Sequence, residues 1–126
     1  MRWFVDGMNV IGARPDGWWR DRRAAMRSLV QQLDGFAEAG EEVAVVFDGR
    51  PFEIQPRAVE VAFAAGPGPN AADREIAERV EADPVPGTIT VVTSDHALAE
   101  RVGAAGASVI GAGAFRRRLD EAGSRG

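Results

Sequence analysis

Cysteine is absent from the 126-residue chain, and histidine occurs once, at His96. The lack of cysteine excludes a disulfide framework, a thiol nucleophile and a cysteine-ligated zinc ion, and it fits a cytoplasmic protein. A single histidine argues against a histidine-rich zinc site. No apolar run approaches the roughly 20 residues that a membrane helix needs, and no secretory pattern precedes residues 3–5, so we expect neither a membrane partner nor a signal peptide.

Lysine is also absent, so all 15 basic residues are arginine. Genomic base composition is a sufficient explanation of that usage, and a net charge of −4 does not by itself indicate nucleic acid. The distribution is more informative, because arginines cluster within residues 14–27 and again at 116–118. Guanidinium groups bind phosphate in two-point fashion, so each cluster is either a phosphate-binding surface or a solvated helix face.

Hydrophobic periodicity predicts alternating strands and helices in a single domain over residues 1–126. Strands are predicted at 2–6, 43–47, 58–64, 88–93 and 107–110, and helices at 21–39, 70–82, 94–102 and 114–121. The third strand alternates and should lie near a sheet edge, an irregular loop should occupy 66–69, and Asn70 and Ser94 should cap helices. This order predicts an α/β sandwich with a mainly parallel sheet, in which ligands bind beyond the carboxyl ends of the strands.

Aspartates stand at the ends of three predicted buried strands, as Asp6, Asp48 and Asp95. Aspartate is common wherever a strand turns into a loop, so each one alone has a simple structural explanation. All three main strands end in this way, however. Because the carboxyl ends of parallel strands meet at one edge of the sheet, we expect these side chains to converge there.

Asp73 is a fourth candidate, three residues after Asn70. An acid at that position can serve the positive end of the helix dipole. Its helix face is nevertheless apolar, because Ile76, Ala77 and Val80 follow at helical spacing. Asp95 shows the same pattern on its own helix. We therefore expect Asp73 and Asp95 to lean toward the sheet and toward Asp6.

A cluster of carboxylates needs protons or a cation, because two of them about 5 Å apart repel by roughly 3 kcal/mol at an effective dielectric constant near 20. An oxygen-only ligand set without histidine or cysteine suits Mg²⁺ or Mn²⁺. Such an ion polarises a phosphate oxygen and activates water, so phosphodiester hydrolysis is the reaction that these residues fit best.

Other polar and aromatic side chains could complete such a site. Asn9 either contacts the substrate, a water or a carboxylate, or forms a simple turn after the first strand. Ser94 either lines the pocket or only caps its helix. Trp18 and Trp19 either stack on unpaired bases or are buried beneath their loop. The candidates for phosphate contacts are Arg14, Arg20, Arg23 and Arg74.

Four segments together resemble the NYN branch of the PIN-like nucleases, and within it the YacP-like family. Residues 6–11 (Asp-Gly-Met-Asn-Val-Ile) are similar to the opening motif of that branch, and residues 46–49 (Val-Phe-Asp-Gly) resemble its second strand. The segment 70–76 with Asp73 is similar to its acidic helix, and residues 92–95 (Val-Thr-Ser-Asp) resemble the end of a later strand. Each motif alone is weak, but their order and spacing agree over essentially the whole chain.

This resemblance implies a PIN-like three-layer α/β/α fold and an endoribonuclease that cleaves RNA with water activated by Mg²⁺ or Mn²⁺. The products would carry a 5′-phosphate and a 3′-hydroxyl. Metal ligands map onto Asp6, Asp73 and Asp95, and Asp48 matches a further acidic position that would bind a second ion or orient water. Asn9 matches the polar position beside the first acid. The RNA would be messenger or ribosome-associated, and Ser94 is a further candidate contact. Because lysine is missing, any lysine contact to RNA in relatives must here be made by arginine or be absent.

Three rival functions remain. A catalytically silent RNA- or ribosome-binding module of the same fold is one, although it would gain nothing from four acids near phosphates. A toxin of the PIN group is another. Phosphotransfer or phosphatase chemistry fits least, because those sites use a lysine or a D-x-D pair, and residues 6–8 read Asp-Gly-Met.

Overall fold

Five short apolar strands form one sheet in the computed structural model, which describes residues 1–64, 66 and 70–124. The strands are β1 (Arg2–Asp6), β2 (Glu42–Phe47), β3 (Glu60–Phe63), β4 (Ile89–Val92) and β5 (Ser108–Ile110). Each neighbouring pair is parallel, and the spatial order is β3-β2-β1-β4-β5. The predicted fold class is confirmed, with a described sheet that is wholly rather than mainly parallel.

Helices cover both faces of the sheet. They are α1 (Gly7–Gly12), α2 (Arg22–Glu38), α3 (Ala71–Ala82), α4 (His96–Ala104) and α5 (Ala112–Ser124), with 3₁₀ turns at Trp18–Arg20 and Pro86–Thr88. One core packs α1, α2 and α5 against the face that carries Val5 and Phe47. The other packs α3 and α4 against the face that carries Val46 and Val91. Among the described helices, none is both long and apolar enough to cross a membrane.

The structure departs from the predicted elements in a few places. Helix α1 was not predicted, because six residues that begin and end in glycine carry no readable period and have low helix propensity. Strand β3 is shorter than predicted but does lie at the sheet edge. Helix α5 starts two residues earlier than predicted. Apart from Gly66, the predicted irregular loop lies outside the described residues.

The cap of α4 was predicted wrongly. Asp95, rather than Ser94, is the N-cap, and its Oδ1 accepts a hydrogen bond from the Leu98 N–H at 2.8 Å. Ser94 instead uses Oγ to accept from the Ala112 N–H at 3.0 Å, and this bond holds the start of α5. Both residues suit a cap by type, so only the path of the chain decides between them.

The order of the strands creates one crevice. The chain leaves β1 toward β2 on one side and leaves β4 toward β5 on the other, so these two adjacent strands send their connections in opposite directions. In open parallel sheets, ligands bind at such a switch point beyond the carboxyl ends. Asp6 ends β1 there, and Thr93 directly follows β4.

Candidate active site

Asp6 and Asp73 meet in this crevice. The Asp6 side chain is only 3% exposed at the end of β1, and it is hydrogen-bonded to the carboxyl group of Asp73 in the first turn of α3. Burial, together with the negative charge of Asp73, raises the pKa of Asp6 to about 7. Two carboxylates cannot hydrogen-bond without a proton, so this contact requires that the pair share a proton below about pH 7.

Asp95 and Asp48 add negative charge around this pair. Burial raises the pKa of Asp73, and the charges of Asp95 and Asp48 raise it further. A short chain of hydrogen bonds joins Asp95 to Asp6: the Asp95 N–H donates to Thr93 Oγ1 at 3.1 Å, and that hydroxyl donates to Asp6 Oδ2 at 3.3 Å. The four predicted acids therefore form one electrostatically connected cluster.

Asp48 also holds the start of α3. Asn70 stands at the predicted N-cap position, but its side chain makes no capping bond. Asp48 Oδ1 accepts the Ala72 N–H at 2.9 Å in its place. One Asp48 oxygen thus satisfies a helix N–H group, and this same contact brings the first turn of α3, with Asp73, to the edge of the sheet.

Asn9 connects the two strands that flank the crevice. Its backbone N–H donates to Asp6 and opposes the rise of the pKa of that carboxyl group, although burial and Asp73 dominate. Its side-chain Oδ1 accepts the Ser94 N–H at 2.7 Å. Ser94 Oγ in turn accepts the N–H at the start of α5. Asn9 and Ser94 therefore connect α1, the loop before α4 and the start of α5 around the acidic cluster.

A cavity of about 190 Å³ opens between α3 and α4 beside the acids. It is lined by Asn70, Asp73, Arg74, Ala77, Asp95, Ala97, Leu98 and Arg101. The charge of Arg74 lowers the pKa of Asp73, against the larger effect of burial. Arg101, which was not among the predicted site residues, is held by two bonds to Glu81 at 2.7 and 2.8 Å. The sequence could have indicated Arg101 as a site residue, because it follows Leu98 by three residues and therefore shares its helix face.

The other predicted phosphate-binding arginines lie apart from this cavity. Arg14 is ion-paired with Asp120, the Arg20 guanidinium stands 6.0 Å from the Trp19 ring, and the Arg23 guanidinium stands 5.0 Å from the Phe52 ring. None of the three lines the cavity that contains Asp73 and Asp95. Their contacts with RNA stay predictions, as does that of Arg74.

The acidic cluster suits a divalent ion in chemistry and charge, although its side chains are not arranged as a complete coordination site. Among the described residues, no group of three or more acidic or histidine side chains is arranged to hold a metal as it stands. The donors are nevertheless all carboxylate oxygens, two of them in contact through a proton and two more close enough to shift a pKa. Hard oxygen donors with excess negative charge fit Mg²⁺ or Mn²⁺, and either ion would replace the shared proton.

A wholly parallel sheet with helices on both faces and an acidic crevice at its switch point defines an open α/β protein with a candidate ligand site. The model of the YacP-like NYN domain family matches residues 3–125, and the chain belongs to this family, which has a nuclease-like fold. The predicted family is therefore confirmed.

Two solved structures of Rae1 (YacP) from Bacillus subtilis are similar to this chain. The first has 28% identity and a TM-score of 0.79, and the match covers 99% of this chain and 76% of the other. The second, a tryptophan-to-leucine mutant, has 27% identity and a TM-score of 0.81, with 99% and 77% covered. No curated protein matches the chain.

Proposed function

We propose that this protein is a metal-dependent endoribonuclease that hydrolyses RNA phosphodiester bonds at the crevice between β1 and β4. The observation that carries this proposal is the contact between Asp6 and Asp73. Two carboxyl groups in contact repel each other once the shared proton is lost, above about pH 7, unless a cation lies between them. The nuclease-like fold and the family membership support the same conclusion.

Asp6, Asp73 and Asp95 would hold the ion, and Asp48 would bind a second ion or orient water through the oxygen that does not accept from Ala72. A bound Mg²⁺ or Mn²⁺ supplies charge that polarises a phosphate oxygen and acidifies water. Asn9 fixes the β4–α4 loop against α1, which keeps Asp6 and Asp95 at a constant separation. Acidic groups that the fold already holds in position need no further ordering when the substrate reacts.

The cavity between α3 and α4 would receive the nucleotide next to the cut. Ala77, Ala97 and Leu98 give it an apolar floor that suits a ribose or a base, and Arg74 supplies positive charge beside the acids for the RNA backbone. The three remaining arginine candidates would contact phosphates further along the strand, and Ser94 would contact RNA at the rim.

Cleavage of a closed circular single-stranded RNA tests the proposal, because an exonuclease cannot act on it. We expect linear products with a 5′-phosphate in Mn²⁺ or Mg²⁺ and intact circles in a chelator. Asp6→Asn and Asp73→Asn should each lower the rate by at least about a hundredfold, since loss of one metal ligand removes several kcal/mol of transition-state stabilisation. Glu78→Gln is the matched control, because Glu78 is an exposed acid on the same helix as Asp73. Wild-type cleavage by the Asp73 variant would refute the assignment.

The alternative is a catalytically silent RNA-binding module. It is favoured by the absence of a ready three-acid cage in the described residues and by the use of Asp48 and Asp95 oxygens to hold helix N–H groups. The same assay separates the two functions. A silent module would retard the circular RNA in a gel at equal strength with and without metal, and the circles would remain intact.

A further inference from the structure

A second cavity, of about 270 Å³, lies beneath the loop that joins α1 to α2. The residues of its wall that matter here are Ile11, Asp16, Trp18, Ala25, Ser28 and Arg116. Trp18 is half-buried and meets the exposed Trp19 edge-on with 5.9 Å between ring centroids. The cavity thus combines an indole ring, apolar side chains, two carboxylates and a guanidinium.

Arg116 is poorly partnered for a largely buried cation. Its side chain is 15% exposed, and its ion pairs are long, 3.9 Å from Nη2 to Asp16 Oδ2 and 3.8 Å from Nε to Asp120 Oδ1. Within the described part of the chain, Nε is buried without a hydrogen-bond partner. Buried charged donors are normally hydrogen-bonded, so a guanidinium left in this state beside an open cavity indicates a missing acceptor.

The charges around the cavity disfavour a phosphate as that acceptor. Asp16 and Asp21 both line it, against the single guanidinium of Arg116. A neutral, flat ring that carries both hydrogen-bond donors and acceptors suits this wall better. Nucleobases are such rings, and they stack on aromatic side chains while their edges bond to charged groups.

We propose that this cavity binds an unpaired guanine base of an RNA strand. Guanine carries adjacent N–H donors for the Asp16 carboxylate, and its O6 and N7 accept from an arginine. Adenine offers neither the paired donors nor O6, and the pyrimidines offer less surface to Trp18. The proposal rests on the proposed function only in making the base part of the RNA substrate.

The cavity is a neighbour of the acidic crevice. Ile11 follows Asn9 by two residues on α1, a rise of about 3 Å. Arg116 follows Ala112 by roughly one helical turn on α5, and the Ala112 N–H is bonded to Ser94 at the crevice. A single strand that passes over α1 and the start of α5 can therefore reach both sites, so a base held here would select where the RNA is cut.

Tryptophan fluorescence of the folded protein, measured in a chelator, tests the site without any cleavage. A Trp19→Phe background leaves Trp18 as the accessible reporter, because Trp3 is buried at 4% exposure. We expect saturable quenching by GMP at a concentration at least about tenfold below that needed for AMP, CMP or UMP. No quenching, or equal quenching by all four nucleotides, would overturn the proposal.

Two variants locate the binding in the cavity. Arg116→Gln should bring the GMP affinity down to that for AMP, and Arg117→Gln, on the next residue of α5, should leave it unchanged. Ser28 is exposed on α2 and lines the cavity, so Ser28→Phe should fill the space and abolish quenching even if the Arg116 variant folds poorly. Retained GMP binding in the Ser28 variant would also refute the site. A protein that binds GMP but never cuts RNA would refute only the proposed function.

Discussion

The Asp6→Asn substitution should make the metal-free protein more stable at mildly alkaline pH. The folded chain raises the pKa of Asp6 from its usual 3.8 to about 7, through burial and then through the charge of Asp73. Between these two values, the folded state holds a proton that the unfolded state has released. The free energy of unfolding of the wild type therefore falls as the pH rises through this window, and it stays low above about pH 7.

The size of the effect follows from the same two numbers. A rise from 3.8 to about 7 corresponds to at most about 4 kcal/mol, at about 1.4 kcal/mol per pKa unit. Asparagine keeps one oxygen for Thr93 and for the Asn9 N–H, but its buried amide loses about 1 kcal/mol in unmatched hydrogen bonds. We expect a net gain of about 3 kcal/mol at about pH 8, or roughly 10 °C in melting temperature.

Urea unfolding of both proteins in a chelator at several pH values measures this gain. The gain should shrink as the pH falls toward 3.8 and vanish below it, where the carboxyl group becomes protonated in the unfolded state as it already is in the folded state. Glu78→Gln, at an exposed position of α3, is the control for the loss of one carboxylate from the surface. An Asp6 variant that is less stable than the wild type at about pH 8 would mean that the carboxyl pair does not repel as described.

Three further outcomes are expected. Asp34→Asn should lower the free energy of unfolding by about 2–3 kcal/mol, because Asp34 Oδ1 accepts N–H bonds from Arg57, Ala58 and Val59 at 2.9–3.0 Å. Burial raises the pKa of Asp34, but these bonds lower it overall. The stabilisation by the wild-type carboxylate should therefore disappear in acid, as the pH falls below the usual 3.8. Glu38→Gln on the same helix, measured in the same urea titration, should cost far less. Gly7→Ala should cost about 1–3 kcal/mol in thermal unfolding, since its Cβ would stand 2.5 Å from Phe47 Cδ1 and 3.0 Å from Val45 Cγ2. Mn²⁺ should raise the melting temperature of the wild type in calorimetry but not that of an Asp73→Asn variant, and equal shifts in both would exclude Asp73 as a ligand.

The sequence predicts the sheet well because its signal is local. Buried parallel strands are continuous apolar runs, and the long helix α2 has a clear apolar period that the structure bears out in buried Met26, Leu29 and Leu33. Once the strands are known to be parallel, their carboxyl ends must share an edge. The strand ends therefore predicted that Asp6, Asp48 and Asp95 would converge, and the apolar face of α3 predicted that Asp73 would lean toward Asp6.

Contacts between distant segments could not be predicted in the same way. The bond from Ala72 to Asp48 and the bond from Ser94 to Asn9 join residues 24 and 85 positions apart, and no period in the sequence encodes either pair. The ion pair of Arg14 with Asp120 is another such contact. A composition rule can propose a cap or a phosphate ligand by residue type, but the path of the chain decides which partner each side chain has.

Asp6 and Asp34, the two buried aspartates among the described residues, have opposite effects on stability, and the contrast favours Asp6 as the one that would serve a ligand. Asp34 and Asp6 are 2% and 3% exposed. Three backbone N–H groups offset the burial of Asp34 and lower its pKa, so the fold itself accounts for that residue. Asp6 faces another carboxyl group and its pKa rises, so the fold would be more stable without it. A buried acid that destabilises the fold points to a role outside folding, and the cation that we propose for this crevice would supply that role.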